Sequence, residues 1–395
     1  MRHLDIFFGH FISDVQGVNS VTNMFLHGKD LFKDENISLD YIVHARGILN
    51  CKEQDDLYIN KDGEHKHTNP SDNKWKKSIS RLLRKSLLGE AIYFYFRHVI
   101  PAKITIEQIQ SGKEFDYIIF QDAISAYYFF KKGFTAKKAI WISHSSGDIF
   151  SVFSKGFPRL KKCRSFYSWY RNFYYFTCNK VDYVVCLSPT AIKGLDFVPT
   201  EKKRFVFNGI ANTEFKPIEH SGINLIVLGS VIPRKGQRYL VEAMELIKKE
   251  TKKSVHLYIA GMGSDLDYCK KLASEKKVEE MITFCGQVNN VDDLLRKMDI
   301  MLLPSLEEGM PISIIEGMRQ GVYTMVTHVG GCIDMINEEV GQFIERDASK
   351  IASAIDGVVC NAIISKERKI KIRNHFEENF SLKKFIHSYA MILNK

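Results

Sequence analysis

The chain has 395 residues, 45% of them hydrophobic and 26% charged, which is ordinary for a folded soluble protein and excludes disordered and fibrous classes. This length suggests two domains. The net charge is +10, and residues 1–200 hold 28 Lys and Arg against 20 Asp and Glu. A basic first half favours phosphate-bearing partners, and nucleic acid, anionic lipid and a diphosphate-linked substrate would all satisfy it.

The eight cysteines are scattered without a C-x-x-C pair, and several lie within apolar runs, which indicates reduced, structural thiols. The amino terminus lacks a cationic stretch followed by an unbroken apolar segment. The sequence also contains no apolar run long enough to cross a bilayer. We therefore expect a cytoplasmic protein that lies peripherally on the inner face of a membrane.

Short apolar runs alternate with amphipathic segments from end to end, which predicts an α/β fold of parallel strands linked by crossover helices. The predicted strands of the first half are His3–Ile12, Leu39–His44, Asp116–Phe120, Lys138–Ser143 and Asp182–Leu187. Those of the second half are Asn224–Gly229, Val255–Ala260, Met281–Cys285, Asp299–Leu303, Tyr323–Thr327 and Gln342–Ile344.

A polar, turn-rich segment at residues 198–220 separates the two sets of strands and predicts a domain junction. We expect one Rossmann-like domain over residues 1–200 and a second over residues 201–380. A final helix over residues 381–395 should pack back toward the first domain. Sheets of this kind bind ligands outside the carboxyl ends of their strands.

The stretch from 299 to 321 carries the clearest chemical pattern: an apolar strand, a turn that contains Gly309, and a helix opened by Pro311. A helix start presents free backbone N–H groups, which suit a diphosphate or a sugar hydroxyl. Glu308 and Glu316 flank this start, and carboxylates accept hydrogen bonds from vicinal hydroxyls. Taken alone, the two acids fit a cap at Glu308 and a solvated helix face at Glu316 better than a binding site.

Residues 308–316, E-G-M-P-I-S-I-I-E, match the E-x7-E signature of glycosyltransferase family 4. The chain thus resembles these retaining enzymes, whose GT-B fold has two Rossmann-like domains facing each other across a cleft. The resemblance covers residues 204–345 well and the first half loosely. The other matching motifs are VFNGI at 206–210, FKP at 215–217, IVLGSVIPRKGQRYLVEAM at 226–244, YIAGMGSD at 258–265, FCGQV at 284–288, VGG at 329–331 and GQF at 341–343.

The resemblance implies a role for each matching residue of the second domain. Lys235 and Arg234 would bind the donor diphosphate, and Gly236 would allow close approach. Glu316 would hold the ribose hydroxyls and Glu308 the transferred sugar. The remaining donor-binding residues would act mainly through their backbone: Gly309 and Met310 on sugar or phosphate oxygens, and Val288 with Gln287 on the base.

The chain departs from the family pattern at Ser230, where an arginine often stands, and this leaves the diphosphate one cation short. In the first domain the resemblance implies that His144, just past a strand end, lies near the sugar. A lone histidine there is as often a structural residue. Gly17, in a glycine-containing turn after the first strand, is the candidate for close approach to donor and acceptor.

A D-x-D triplet at Asp265–Asp267 is typical of metal-dependent glycosyltransferases, but it follows GMGS at a predicted helix start, where Asp acts as a cap. The resembled family is also metal-independent. The sequence has neither a zinc spacing nor a Gly-x4-Gly-Lys-Ser/Thr loop. We therefore expect no metal and no cofactor besides the donor substrate, a UDP- or GDP-linked sugar.

Two basic stretches with interleaved aromatic or apolar residues remain, at 74–88 and 153–176. They suit the headgroup layer of an anionic bilayer, single-stranded nucleic acid, or a solvated face over core aromatics. We prefer the membrane, since a lipid-linked acceptor would explain these stretches together with the donor site. No recognisable motif supports nucleic acid as a partner.

The resemblance implies a retaining hexosyltransferase that moves a sugar from a nucleoside-diphosphate sugar to a hydroxyl of a glycan acceptor. The resemblance implies a lipid-linked acceptor in O-antigen, capsule or lipopolysaccharide synthesis. A nucleotide-sugar epimerase or hydrolase on the same fold is the first alternative. A non-catalytic scaffold is the second, because Ser230 breaks the family pattern.

Overall fold

The computed structural model describes residues 1–9, 16–52, 84–110, 112–145, 148–250, 254–361 and 363–395. The chain divides into two compact units. The first unit comprises Met1–Val206 and Ile386–Lys395, and the second comprises Phe207–Phe385. The sequence predicts boundaries near residues 200 and 380, and the final ten residues group with the first unit.

The first unit contains a seven-stranded sheet in the order β3-β2-β1-β4-β5-β6-β7. Neighbouring strands are parallel except for the edge pair of β2 and β3, which is antiparallel. The strands are β1 Arg2–Phe8, β2 Ile37–His44, β3 Gly47–Asn50, β4 Phe115–Phe120, β5 Ala136–Ser143, β6 Tyr183–Cys186 and β7 Lys203–Phe205.

The second unit contains a six-stranded parallel sheet in the order β10-β9-β8-β11-β12-β13. This is the order of a dinucleotide-binding Rossmann sheet, and its topological switch point lies between β8 and β11, the place where such sheets bind ligands. The strands are β8 Ile223–Leu228, β9 Val255–Ala260, β10 Ile282–Gly286, β11 Ile300–Leu303, β12 Tyr323–Thr327 and β13 Gly341–Ile344.

Helices connect the strands of both units. The described helices of the first unit are α1 Gln16–His27, α2 Lys29–Asp34, α3 Leu87–Phe94, α4 Ile100–Glu107, α5 Ala123–Lys131, α6 Ile149–Gly156, α7 Pro158–Lys162, α8 Arg164–Lys180 and α9 Pro189–Ile192, with a π-helical stretch Tyr95–Val99 between α3 and α4. The later helices are α10 Gln237–Glu250, α11 Leu266–Glu275, α12 Val291–Leu295, α13 Ile312–Arg319, α14 Cys332–Met335, α15 Ala348–Cys360, α16 Lys366–Asn379 and α17 Leu382–Leu393.

All eleven predicted strands are present, nine of them with bounds that shift by a few residues, and residues 10–12 of the first predicted strand lie outside the described ranges. Two strands were missed. β3 is a four-residue edge strand whose residues are all partly or fully exposed, so it lacks the apolar run used to recognise strands. β7 lies inside the segment predicted as a polar junction, because its sequence Lys-Arg-Phe reads as a turn although it pairs with β6.

The central strands of both sheets are largely buried, as expected of parallel sheets covered on their two faces. The four residues of β11 are buried, as are the five of β12. All eight cysteines are free thiols, and Cys51, Cys178, Cys186, Cys269 and Cys332 are buried. In the part of the chain that the structure describes, no helix is both long enough and apolar enough to cross a membrane.

Candidate functional site

The residues predicted to bind the diphosphate and the sugar follow the carboxyl ends of the two strands that flank the switch point of the second sheet. Lys235 follows β8, and Glu308 follows β11. The Lys235 Nζ donates to Glu308 Oε1 over 2.6 Å, and the side chains are only 14% and 7% exposed. A charge-assisted hydrogen bond of this length, largely shielded from water, holds two chemically active groups at one point.

Arg234 adds a second cation to this pair. Its Nη1 lies 3.9 Å from Glu308 Oε2 and also donates to the main-chain carbonyl of Glu307. The Arg234 side chain is 42% exposed, so part of it remains accessible to an incoming anion. Two cations and one carboxylate leave this place with a net positive charge, as a diphosphate requires.

Two glycines allow the loops at this edge to pack main chain against main chain. Gly236 has φ +76°, and a Cβ there would lie 2.3 Å from the Pro304 carbonyl oxygen. Gly330 has φ +49°, and a Cβ there would lie 1.8 Å from the Glu308 carbonyl oxygen. The sequence therefore uses glycine where the loops after β8, β11 and β12 touch, since L side chains rarely adopt these angles and would clash.

Glu316 lies on α13 and is half-buried. Burial raises the pKa of its carboxyl to about 7, Arg319 lowers it and Asp292 raises it further. Among the described residues no group hydrogen-bonds to this carboxylate, in contrast to Glu308. A poorly solvated carboxylate without a partner is suited to hydroxyl donors from a ligand.

The helix start between the two glutamates differs in detail from the expectation. Pro311 is the residue before α13 rather than its first residue, and no side chain caps this end. Glu308 does not cap the helix, and its side chain pairs with Lys235 instead. The Gly309 carbonyl accepts from Gly331 N–H over 2.8 Å, and Met310 is buried with its sulfur accepting from Asn208 N–H at 3.1 Å.

The remaining predicted donor-side residues also follow carboxyl ends of strands. Gln287 is exposed and Val288 half-buried directly after β10. Ser230, where the family often has arginine, follows β8, and its carbonyl accepts from the Gln237 side chain over 3.0 Å. The Gln237 Oε1 and Ser305 Oγ are buried without a hydrogen-bond partner in the described part of the chain.

Sequence reasoning missed Arg346, which follows β13. Its Nε donates to the Pro304 carbonyl over 3.0 Å, and its Nη2 donates to the Pro233 carbonyl over 2.5 Å. It was missed because a single arginine after a strand resembles any solvated charge. Its only signal is three-dimensional: one guanidinium binds carbonyls of two loops far apart in sequence.

In the first unit, His144 lies just after β5, and its Nε2 is 2.7 Å from the Gln121 Oε1. Gln121 follows β4 and is 2% exposed, and its amide nitrogen has no partner in the described part of the chain. Sequence reasoning did not single out Gln121. Gly17 lies in the first turn of α1 rather than in the predicted turn, and residues 10–15 before it lie outside the described ranges.

The D-x-D triplet lies at the start of α11, as predicted. Asp265 is the residue before the helix, but its side chain makes no capping hydrogen bond, and Asp267 lies in the first turn. Across the described ranges, no group of three or more His, Cys, Asp and Glu side chains is arranged to hold a metal ion. The expectation of a metal-free reaction stays a prediction.

Residues 222–361 match the family described as glycosyl transferases group 1. The chain is 28% identical over 177 residues to a capsular polysaccharide biosynthesis glycosyltransferase of Staphylococcus aureus, with 43% of this chain and 47% of the relative covered. It is 27% identical over 180 residues to the UDP-Gal:alpha-D-GlcNAc-diphosphoundecaprenol alpha-1,3-galactosyltransferase of Escherichia coli, covering 43% and 46%. The chain thus spans about half the length of these curated relatives.

The fold is similar to that of HepE of Anabaena, solved in complex with UDP, with a TM-score of 0.64, 12% identity and 100% of each chain covered. It is also similar to sucrose-phosphate synthase of Thermosynechococcus elongatus, with a TM-score of 0.66, 14% identity, and 100% and 98% covered. The predicted GT-B fold is confirmed, and so is the resemblance to family 4-like glycosyltransferases.

Proposed function

We propose that this chain, whose residues 222–361 form a glycosyl transferases group 1 domain, transfers a sugar from a UDP-sugar to a hydroxyl of a glycan acceptor. The observation that carries the proposal is the Lys235–Glu308 pair at the switch point of the second sheet. A lysine, a group suited to phosphate, and a carboxylate, a group suited to sugar hydroxyls, meet there at 2.6 Å. The bond to be broken joins a sugar to a phosphate, so both groups are needed at one place.

Electrostatic stabilisation of the leaving group would supply most of the rate. Negative charge grows on the diphosphate as the sugar–phosphate bond breaks, and Lys235 and Arg234 are the cations that would stabilise it. The start of α13, which no side chain caps, adds backbone N–H donors four residues after Glu308 in the chain. Glu308 would hold hydroxyls of the sugar, and Glu316 the ribose.

Uracil as the donor base is supported by the proteins that this chain resembles. HepE of Anabaena was solved with UDP, and the Escherichia coli relative is named for UDP-Gal. Gln287 and Val288 follow β10 at one edge of the sheet and would contact the base mainly through their backbone. A GDP-linked donor is the alternative, and a binding measurement distinguishes the two.

A lipid-linked glycan is the acceptor that we propose, in capsule, O-antigen or lipopolysaccharide synthesis. Relatives of this chain are named for capsular polysaccharide and O-antigen biosynthesis, and one for a diphosphoundecaprenol-linked acceptor. We further propose retention at the anomeric carbon, with the departing phosphate oxygen taking the acceptor proton. No strong enzymatic base is then required.

A basic aromatic surface on the first unit supports work on the inner face of a membrane. We define it as the exposed residues of 84–104 and 152–175. Residues 149–181 contain seven Lys and Arg and no Asp or Glu. Exposed apolar side chains accompany these cations: Leu87, Leu88, Ile92, Tyr95, Phe96, Ile104, Val152, Trp169 and Tyr175. Residues 74–83 of the first predicted basic stretch lie outside the described ranges.

The one acidic residue within these two segments is turned inward. Glu90 on α3 is 1% exposed and accepts from the Arg159 and Leu160 N–H groups, over 2.9 and 3.0 Å, at the start of α7. Its other oxygen lies 3.3 Å from the Arg159 guanidinium, which also donates to the Arg84 carbonyl. The two basic segments are thus fixed to each other, and their exposed face carries cations beside apolar side chains, as an anionic bilayer surface requires.

Calorimetric titration with UDP, GDP and ADP, without added metal, tests the donor site. We expect UDP to bind, Glu308→Gln to weaken binding of the UDP-sugar more than that of UDP, and Glu307→Gln, a change at the exposed neighbouring residue, to leave both unchanged. No binding of any nucleoside diphosphate would refute the proposal.

A transfer assay with a radiolabelled UDP-sugar would then compare a polyprenyl-diphosphate-linked sugar with the free sugar as acceptor. Release of UDP together with labelled free sugar, without label on either acceptor, would instead indicate a hydrolase. Interconversion of free UDP-sugars would indicate an epimerase. An anomeric configuration inverted relative to the donor, read by NMR, would contradict retention.

Co-sedimentation with phosphatidylglycerol vesicles tests the membrane proposal separately. We expect binding that falls with salt and is lost on vesicles of phosphatidylcholine. Leu88→Ser with Phe96→Ser should weaken it, whereas Ile370→Ser, at an exposed apolar residue of the second unit, should not. Equal binding by both variants would remove the membrane role from this surface.

A further inference from the structure

We propose that Arg346 is a positioning residue for the donor diphosphate, which it does not itself touch. This inference rests on the proposed function and adds a residue that the motifs do not contain. Arg346 follows β13, two residues past its end, and is half-buried. Its contacts run to the main chain of the two loops that carry Lys235 and Glu308.

The guanidinium connects the loop after β8 to the loop after β11. It donates to the Pro304 carbonyl over 3.0 Å, to the Pro233 carbonyl over 2.5 Å and, more weakly, to the Arg234 carbonyl over 3.5 Å. Its charged carbon lies 4.9 Å from the centre of the Tyr239 ring, which fixes the plane of the fork. One side chain thereby sets the separation of the two loops at the switch point.

The direction of these bonds matters as much as the link. In a trans peptide the C=O and the N–H point in opposite directions. Because the Pro233 and Pro304 carbonyls point at Arg346, the N–H groups of Arg234 and Ser305 point away from it. Arg346 thus orients two backbone donors as well as the Arg234 side chain, and such fixed donors are what a diphosphate site needs.

Direct contacts between the loops complete the arrangement. Leu306 N–H donates to the Arg234 carbonyl over 2.8 Å, and Gly236 leaves the room in which Arg346 reaches Pro304. Without the guanidinium three carbonyls would lose their charged donor. The loops would then be joined by the Leu306 bond, by the Lys235–Glu308 pair and by the contacts of the exposed Arg234 side chain with Glu307 and Glu308. The two residues meant to bind phosphate and sugar would then be held less firmly.

The test compares Arg346→Ala and Arg346→Lys with a matched arginine. Arg368 is also half-buried and donates to two main-chain carbonyls, those of Glu338 and Glu339 over 2.9 and 3.0 Å, but it does so before the start of β13 rather than after its end. Arg368→Ala therefore reports the loss of an equivalent structural link in the same unit, away from the donor loops.

Binding of UDP and of UMP would be measured by calorimetry for each variant, together with kcat and KM and with thermal unfolding. For Arg346→Ala we expect UDP affinity to fall at least about tenfold, UMP affinity to change much less, and kcat to fall by up to about 100-fold, the size typical of a displaced catalytic geometry. Arg346→Lys should recover part of the UDP affinity, and Arg368→Ala should keep all of it.

A wild-type UDP affinity in a folded Arg346→Ala, or an equal loss in Arg368→Ala, would overturn the inference. If Arg346→Ala does not fold, the same comparison on Arg346→Lys and Arg346→Gln decides, since both keep a hydrogen-bond donor. Absence of UDP binding by the wild-type protein would instead refute the proposed function, so the two failures can be told apart.

Discussion

Replacement of Glu316 by glutamine should change stability and nucleotide binding in opposite directions. Burial raises the pKa of this carboxyl from its ordinary 4.5 to about 7. The folded state therefore holds a proton that the unfolded state releases, and the contribution of this group to stability is lost as the pH rises from about 4.5 to about 7. Above pH 7 the ionised, half-buried carboxylate destabilises the free protein.

The size of the effect follows from the shift. One pKa unit is worth about 1.4 kcal/mol, so a rise from 4.5 to about 7 corresponds to about 3 kcal/mol at most. Because water reaches part of the side chain, we expect Glu316→Gln to raise the free energy of unfolding at pH 8 by about 1–3 kcal/mol. At pH 5 the gain should be under about 1 kcal/mol.

Nucleotide binding should respond in the other direction. If the ribose hydroxyls donate to the Glu316 carboxylate, bound UDP stabilises its ionised form, and at pH 7 binding should release about half a proton. Glu316→Gln should abolish this release and weaken UDP binding by about tenfold, the order expected when hydrogen bonds to a charged group are lost.

Urea unfolding at pH 5 and pH 8 measures the stability change, and calorimetry in buffers of different ionisation enthalpy counts the protons. Glu275→Gln is the control, since Glu275 is exposed on α11 in the same unit. The reasoning would be refuted by a variant that binds UDP as the wild type does with the same proton release. A variant that is no more stable than the wild type at pH 8 would refute the burial argument.

Lys235→Met should lower the transfer rate by at least about 100-fold, as loss of a charge-stabilising group does. Lys248→Met, at an exposed ion pair, should leave the rate unchanged. A Lys235→Met variant with the wild-type rate would show that this lysine does not bind the diphosphate. Gly330→Ala should lower the free energy of unfolding by about 2–4 kcal/mol and abolish UDP binding, because its Cβ would meet the Glu308 carbonyl. The control Gly357→Ala, inside α15 with open space around it, should instead stabilise the protein by about 0.5–1 kcal/mol in urea unfolding. His144→Ala should slow transfer by about 10–100-fold with unchanged UDP affinity in calorimetry, and an unchanged rate would make this histidine structural.

The sequence predicts the sheets well because buried parallel strands are short, uninterrupted apolar runs. β9 and β12 have the predicted bounds for this reason. The prediction from sequence failed at β7, a charged three-residue strand that is recognisable only through its pairing with β6. The order of the strands and their parallel register also depend on which strands pair with each other. The pattern of residues within one segment does not predict this pairing.

The site residues that stand in one sequence motif could be predicted. Those that are brought together from distant segments by the fold could not. Glu308 and Glu316 stand in a single recognisable stretch, so their selection needed no structure. Arg346 and Gln121 could not be found this way, since nothing in their local sequence indicates what they contact. The Lys235–Glu308 pairing is intermediate: both residues were selected, but their 2.6 Å contact depends on the neighbouring positions of β8 and β11.

Because main chain packs on main chain at Gly236 and Gly330, the spacing of the loops at this edge of the sheet is set independently of the side chains that would choose the ligand. At these two glycines backbone rests directly on backbone, so the spacing at those contacts does not depend on the size of a side chain. Ser230, in the loop after β8, is partly exposed, and Gln287, after β10, is exposed, so their side chains are not enclosed by this packing. Such a scaffold lets the preferred sugar or base change by single substitutions during evolution while the frame that holds the phosphate stays the same.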